Sequence, residues 1–224
     1  MRQITHGLTS ESSNLLYFGQ SGGLNEAYSD IMACALEFDI NDDKDKPDFL
    51  VGEALADLAL RSMEAPFEQD GKSVDDYCTF VGAMNVHHSS GFLNRAFFNA
   101  VKSCESTCGS SASECVPLMA NMFMYTNLES LSMLSGFKDA AKHTCRDVEE
   151  FFEANSPNTA CTVDNVRTAV VEGFAAVGLR VNEKNCNPRV NCKKQNVFVQ
   201  MFNTCSNLMD MVKMITGRLG ELSW

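Results

Sequence analysis

The sequence predicts a mainly α-helical domain over residues 1–180, followed by a cysteine-containing helical tail over 181–224. Two observations carry this expectation. Apolar residues recur at three- and four-residue spacing through most segments between residues 24 and 177, and the two-residue alternation of a strand is rare. Composition agrees with a packed domain: 45% of the 224 residues are hydrophobic and 21% are charged.

Residues 1–18 alternate polar and apolar groups and end in the apolar patch Leu15–Phe18, and Gly19–Gly23 reads as a turn-rich break. Leu24, Ala27, Tyr28, Ile31, Ala35 and Phe38 then mark one face of a helix over 24–38. A polar, charge-rich loop follows over 41–48, and residues 49–85 show turn signals with little regular structure. Phe92, Ala96, Phe97, Ala100 and Val101 form the stripe of a second helix over 89–104. Further helices are expected over 118–125, 128–134, 137–154 and 163–177, and in the tail over 196–219.

Twenty-nine acidic residues against 18 basic ones give a formal net charge of −11, which leaves no electrostatic reason to bind nucleic acid or an anionic membrane. No apolar run is long enough to span a bilayer. Ten cysteines, at positions 34, 78, 104, 108, 115, 145, 161, 186, 192 and 205, are many for a cytosolic enzyme. No Cys-x-x-Cys pair is present, so zinc ribbons and thioredoxin-type sites are disfavoured and disulfides in an oxidising, extracellular compartment are expected. The pairing is not readable from the sequence, and no signal peptide opens this chain.

Three short motifs carry the chemistry. They are Thr5-His6-Gly7, then Asn25-Glu26-Ala27-Tyr28-Ser29-Asp30, then Val86-His87-His88-Ser89-Ser90-Gly91. Together they resemble the thermolysin-like zinc metallopeptidases, the gluzincins. In that family one helix carries His-Glu-x-x-His, the next carries Asn-Glu-x-x-Ser-Asp, and a later Val-His-x-x-Ser-Gly follows. The second motif is matched by Asn25, Glu26, Ser29 and Asp30, and the third by Val86, His87, Ser90 and Gly91. The interval from His6 to Glu26, Tyr17, Arg61 and the closing segment 174–179 agree as well.

The resemblance runs from residue 2 to about 180 and implies the C-terminal helical lobe of a metalloendopeptidase. It implies His6 and Glu26 as zinc ligands, with Asn25 and Asp30 supporting them from behind. It implies His87 and Tyr17 as donors to the oxyanion of the tetrahedral intermediate, and Arg61 as the residue that holds the substrate carbonyl. A calcium cluster is implied at Glu37, Asp48 and Glu53. The substrate would be a peptide or protein.

The sequence departs from the family at three places. Arg2 stands where the first zinc-ligating histidine belongs, and Gln3 where the general-base glutamate belongs. Gly82 stands where an acid usually orients the oxyanion histidine. Arginine has no lone pair for a metal, and glutamine accepts no proton near neutral pH. By the resemblance, an N-terminal β-rich lobe would be the partner across the cleft, and this chain is expected to lack it. This chain is therefore expected to hold zinc weakly or not at all and to be inactive as it stands. Two explanations remain open: a truncated copy of a secreted enzyme, or a degenerate paralogue that binds peptides or partners without cutting. A further expectation makes 181–224 a separate module for attachment or docking.

Overall fold

A computed structural model describes residues 1–40, 47–52, 59–82 and 84–192. Among them run nine helices, α1 (Arg2–Glu11), α2 (Gly19–Ile40), α3 (Pro66–Asp70), α4 (Val86–Ser89), α5 (Gly91–Cys108), α6 (Ala112–Glu129), α7 (Phe137–Arg146), α8 (Val148–Asn155) and α9 (Val163–Ala176). Two small antiparallel pairs complete the fold: β1 (Leu50–Val51) with β2 (Arg61–Ser62), and β3 (Leu179–Val181) with β4 (Pro188–Val190). The fold is mainly α, as the periodicity predicts.

The long helix α2 is the centre of the domain. Leu24, Ala27, Tyr28 and Ile31 have no exposed surface, and α1, α4, α5 and α6 all pack on it. Its first turns contain Gly22 and Gly23, which the sequence reading places in a turn-rich break. They are helical because α4 presses against them. A Cβ on Gly22 would lie 2.4 Å from Val86 Cγ1, and one on Gly23 would lie 2.5 Å from Ser89 Oγ. Close approach, not chain reversal, explains the glycines.

Helix α1 also differs from the alternating pattern read there. It buries Thr5 and Thr9 and exposes Ile4 and Leu8, so its apolar residues face away from the core. Asn127 Nδ2 donates to Thr9 Oγ1 at 2.9 Å, and Ser13 Oγ donates to Asn127 Oδ1 at 2.8 Å. Hydrogen bonds replace the apolar stripe that would have announced the helix.

Three other boundaries move. A capping box, in which Ser111 N donates to Glu114 Oε2 at 2.9 Å, starts α6 at Ala112, ahead of Pro117. The helix expected over 128–134 is absent: α6 ends at Glu129, and Ser132 N turns onto Ser135 Oγ at 3.0 Å. The segment expected as one helix over 137–154 is two, α7 and α8, joined at the buried Asp147.

The core is an aromatic column. Phe92 stacks on Phe137 with ring centroids 4.3 Å apart, and Phe123 stacks on Phe174 at 5.9 Å. Helices α5 and α9 cross closely at Gly173, where a Cβ would meet the Ala96 carbonyl oxygen at 2.5 Å and Ala100 Cβ at 2.7 Å. Four cysteine pairs stand at disulfide distance: Cys78–Cys192, Cys104–Cys115, Cys108–Cys161 and Cys145–Cys186. The first and last tie the β3–β4 end of the described chain to the helical body. Cys34 is buried in α2, with its sulfur 3.6 Å from the Asp48 carbonyl oxygen.

Gly173→Ala forces backbone against backbone. It should destabilise the domain by about 1–3 kcal/mol, read as a lower denaturant midpoint. An unchanged midpoint would show that α5 and α9 can separate freely.

Candidate active site

Helices α1 and α2, the segment around Tyr17 and the helix α4 converge on a cleft of about 770 Å³, lined by Arg2, His6, Tyr17, Asn25, Glu26 and His87. Arg2 and His6 lie one helical turn apart on α1, so both side chains point to the same side. Glu26 and Asp30 are one turn apart on α2, and both are buried, at 2% and 0% exposure.

His6 is held in one orientation. Asn25 Nδ2 donates to the Leu15 carbonyl at 3.2 Å, which turns Asn25 Oδ1 toward His6 Nδ1 at 2.6 Å. An acceptor there fixes the proton on Nδ1 and leaves the lone pair on Nε2. Ser29 Oγ adds a contact to Nδ1 at 3.2 Å. His6 Nε2 then faces Glu26 Oε1 at 3.6 Å.

Glu26 is saturated with donors. Arg2 Nη2 binds its Oε2 at 2.7 Å, and His87 Nδ1 lies 2.9 Å from the same oxygen. The Tyr17 hydroxyl donates to Oε1. Burial pushes the Glu26 carboxyl up, but the Tyr17 hydrogen bond and the charges of His87, Arg2 and His6 outweigh it, so its pKa is lowered from 4.5. Burial and the Glu26 hydrogen bond push Tyr17 up to about 12.

Asp30 is the second anchor. Arg61 grips it bidentately, Nε to Oδ2 at 2.8 Å and Nη2 to Oδ1 at 2.9 Å. Arg2 Nε lies 3.0 Å from Oδ1, and Asn94 Nδ2 donates to Oδ2 at 3.0 Å. Burial would lower the Arg61 pKa, but Asp30 more than offsets it and the net shift is upward.

The structure therefore brings His6, Glu26, Asp30, Asn25, Tyr17, Arg61 and His87 together. His87, which has no acid before it because Gly82 stands there, leans on Glu26 instead. Its Nε2 lies 3.5 Å from the Tyr17 hydroxyl. Of the calcium candidates, Glu37 is half-buried on α2, Asp48 Oδ1 accepts from Leu50 N at 2.7 Å, and Glu53 lies outside the described residues. Sequence reasoning missed Asn94. A polar residue inside the apolar stripe of α5, between Leu93 and Ala96, was the available signal.

Residues 13–178 match the family described as thermolysin metallopeptidase, alpha-helical domain. The chain belongs to that family. A transglutaminase-activating metalloprotease of Streptomyces mobaraensis is 45% identical over 102 residues, which is 44% of this chain and 13% of the relative. A neutral protease of Vibrio proteolyticus is 41% identical over 101 residues, 43% of this chain and 15% of the relative. The matched stretches thus span a small fraction of these relatives. The precursor of protealysin from Serratia proteamaculans shares the fold, with a TM-score of 0.59 at 24% identity over 79% of this chain and 55% of that one.

Family membership implies a catalytic zinc, and the residues present do not fit one. A catalytic zinc takes three protein ligands, and the cleft offers two, His6 and Glu26. Both Glu26 oxygens already accept from Arg2, His87 and Tyr17. The Arg2 guanidinium occupies the flank of Glu26 and Asp30 where the first ligand would stand.

The lowered Glu26 pKa makes a signed prediction. Its contribution to stability is complete above about pH 4.5 and is lost as pH falls through the lower folded value. Melting temperature should fall with acid in that window, and Glu26→Gln should flatten that limb. An identical acid limb in the variant would remove Glu26 from the account.

Proposed function

We propose that this chain is the helical half of the peptide-binding cleft of a secreted zinc metalloendopeptidase, and that with Arg2 and Gln3 it binds peptides without hydrolysing them. The carrying observation is the Arg2 guanidinium, 2.7 Å from Glu26 and 3.0 Å from Asp30. A guanidinium has no vacant orbital to take a water as a ligand, and Gln3 cannot take the proton. What remains serves binding. Tyr17 and His87 are exposed at the rim, where a peptide carbonyl can meet the Tyr17 hydroxyl once it turns from Glu26.

Secretion is supported by the four cysteine pairs, which we read as disulfides formed in an oxidising compartment. The opposing β-rich lobe is the partner we assign to the outer face of α1, where Ile4 is 64% and Leu8 49% exposed.

The full chain incubated with casein should yield no cleavage, and its zinc content after dialysis should be well below one equivalent. The double variant R2H/Q3E should raise zinc to about one equivalent, because it completes a three-ligand set. Chelator-sensitive proteolysis by the unaltered chain would overturn the proposal.

The resemblance also supports calcium at Glu37, Asp48 and Glu53. Chelating calcium from the full-length protein should lower its melting temperature, and an unchanged melt would count against the site.

A further inference from the structure

We propose that Cys104, Cys108, Cys115 and Cys161, once reduced, form a four-thiolate site for zinc, separate from the cleft. These residues come from three segments. Cys104 and Cys108 lie one turn apart on α5. Gly109, at φ +66°, reverses the chain so that Cys115 in α6 sits 5.9 Å from Cys104, Cα to Cα. Cys161 stands directly before Thr162, the N-cap of α9, with its Cα 5.0 Å from that of Cys108.

The decisive geometry lies between the two bridges. Cys104 Sγ is 3.7 Å from Cys161 Sγ and 3.8 Å from Cys108 Sγ. The ligand atoms of Cys104, Cys108 and Cys161 all lie within 4.8 Å of one another. A tetrahedron with Zn–S of about 2.3 Å has S···S edges of about 3.8 Å. Sulfurs that are not bonded to each other therefore already stand at the edge length of a zinc-thiolate centre. Cys115 Sγ is not within that reach of all three; freed from its bond to Cys104, it takes the fourth position.

The surroundings suit thiolates. Cys104 and Cys115 are fully buried and Cys161 is 5% exposed, while Cys108 is half-buried and leaves an entry side. Cys115 lies in the first turn of α6 and Cys161 just before the N-cap of α9, near helix ends of positive pole. Asn165 Nδ2 donates to the Thr107 carbonyl at 3.1 Å and fastens the α9 entry to the end of α5.

The chemistry balances. Each bridge takes two electrons and two protons from a dithiol or phosphine reductant, which is itself oxidised. The four thiols then bind one Zn²⁺, release four protons and leave a centre of net charge −2. Oxidation reverses the sequence and expels the ion. One cluster thus ties α5, α6 and the entry of α9 together in either redox state.

The test uses the full chain, reduced with a phosphine under argon and titrated with Zn²⁺ or Cd²⁺. One zinc equivalent should resist dialysis, Cd²⁺ should show thiolate charge-transfer absorption, and both should disappear on air oxidation. The variant C108S/C161S should lose the ion, whereas C78S/C192S and His6→Ala should keep it. Zinc should also raise the melting temperature of the reduced chain by several degrees in far-ultraviolet circular dichroism. A reduced chain that stays helical and takes no zinc overturns the proposal. So does one that loses its helices and does not regain them with zinc, or zinc retained by C108S/C161S. Because no cysteine of this cluster lines the cleft, failure here leaves the cleft reading intact, and the reverse also holds.

Discussion

Two carboxylates on one helix, both buried, have to be neutralised before α2 can lie at the centre of this domain. Glu26 is 2% exposed and Asp30 fully buried, and a buried carboxylate without a partner is strongly destabilising. Arg2 touches both, at 2.7 and 3.0 Å, and Arg61 closes the other side of Asp30. Two guanidinium charges meet two carboxylate charges. Tyr17, His87 and Asn94 occupy the remaining lone pairs. The packing of α1 on α2 and the placement of β2 against the core both hang on this network, because Arg2 belongs to α1 and Arg61 to β2.

In the family the resemblance points to, a divalent cation would share that neutralising work. A guanidinium one turn before His6 does it here without metal chemistry. It meets the charge of both carboxylates, although its buried Nε makes no hydrogen bond. A guanidinium itself offers no vacant coordination position for a water. His6 keeps its own support: Asn25 Oδ1 lies 2.6 Å from its Nδ1, while Glu26 is engaged by Arg2, His87 and Tyr17.

The site was more legible in the sequence than the fold around it. Motifs such as Asn25-Glu26-x-x-Ser29-Asp30 put fixed residue types at fixed spacing, and helical geometry carries them to one face. The partners of Asp30 were legible only in part, because Asn94 is 64 positions away in sequence and its amide looks like an interruption of an apolar stripe. Helix α1 escaped the periodicity because threonines and an asparagine, not aliphatic groups, face inward. Gly22 and Gly23 read as a break because a sequence cannot distinguish a glycine that turns the chain from one that lets another helix approach. The split at Asp147 was hidden for a related reason. Apolar spacing continues across the joint, and only the buried carboxylate marks it.

Helix α5 joins the two chemical regions of the domain. It begins at Gly91, beside the His87 turn, passes Asn94 on Asp30, and ends at Cys108. Its 18 residues span about 27 Å at about 1.5 Å per residue. The cleft end is fixed by charge and the far end by sulfur, with the aromatic column around Phe92 and Phe97 between them. Phe92 packs on Phe137 and Phe174 and Phe97 on Phe123, so neighbouring helices clamp α5 between its two ends and make it a stiff strut.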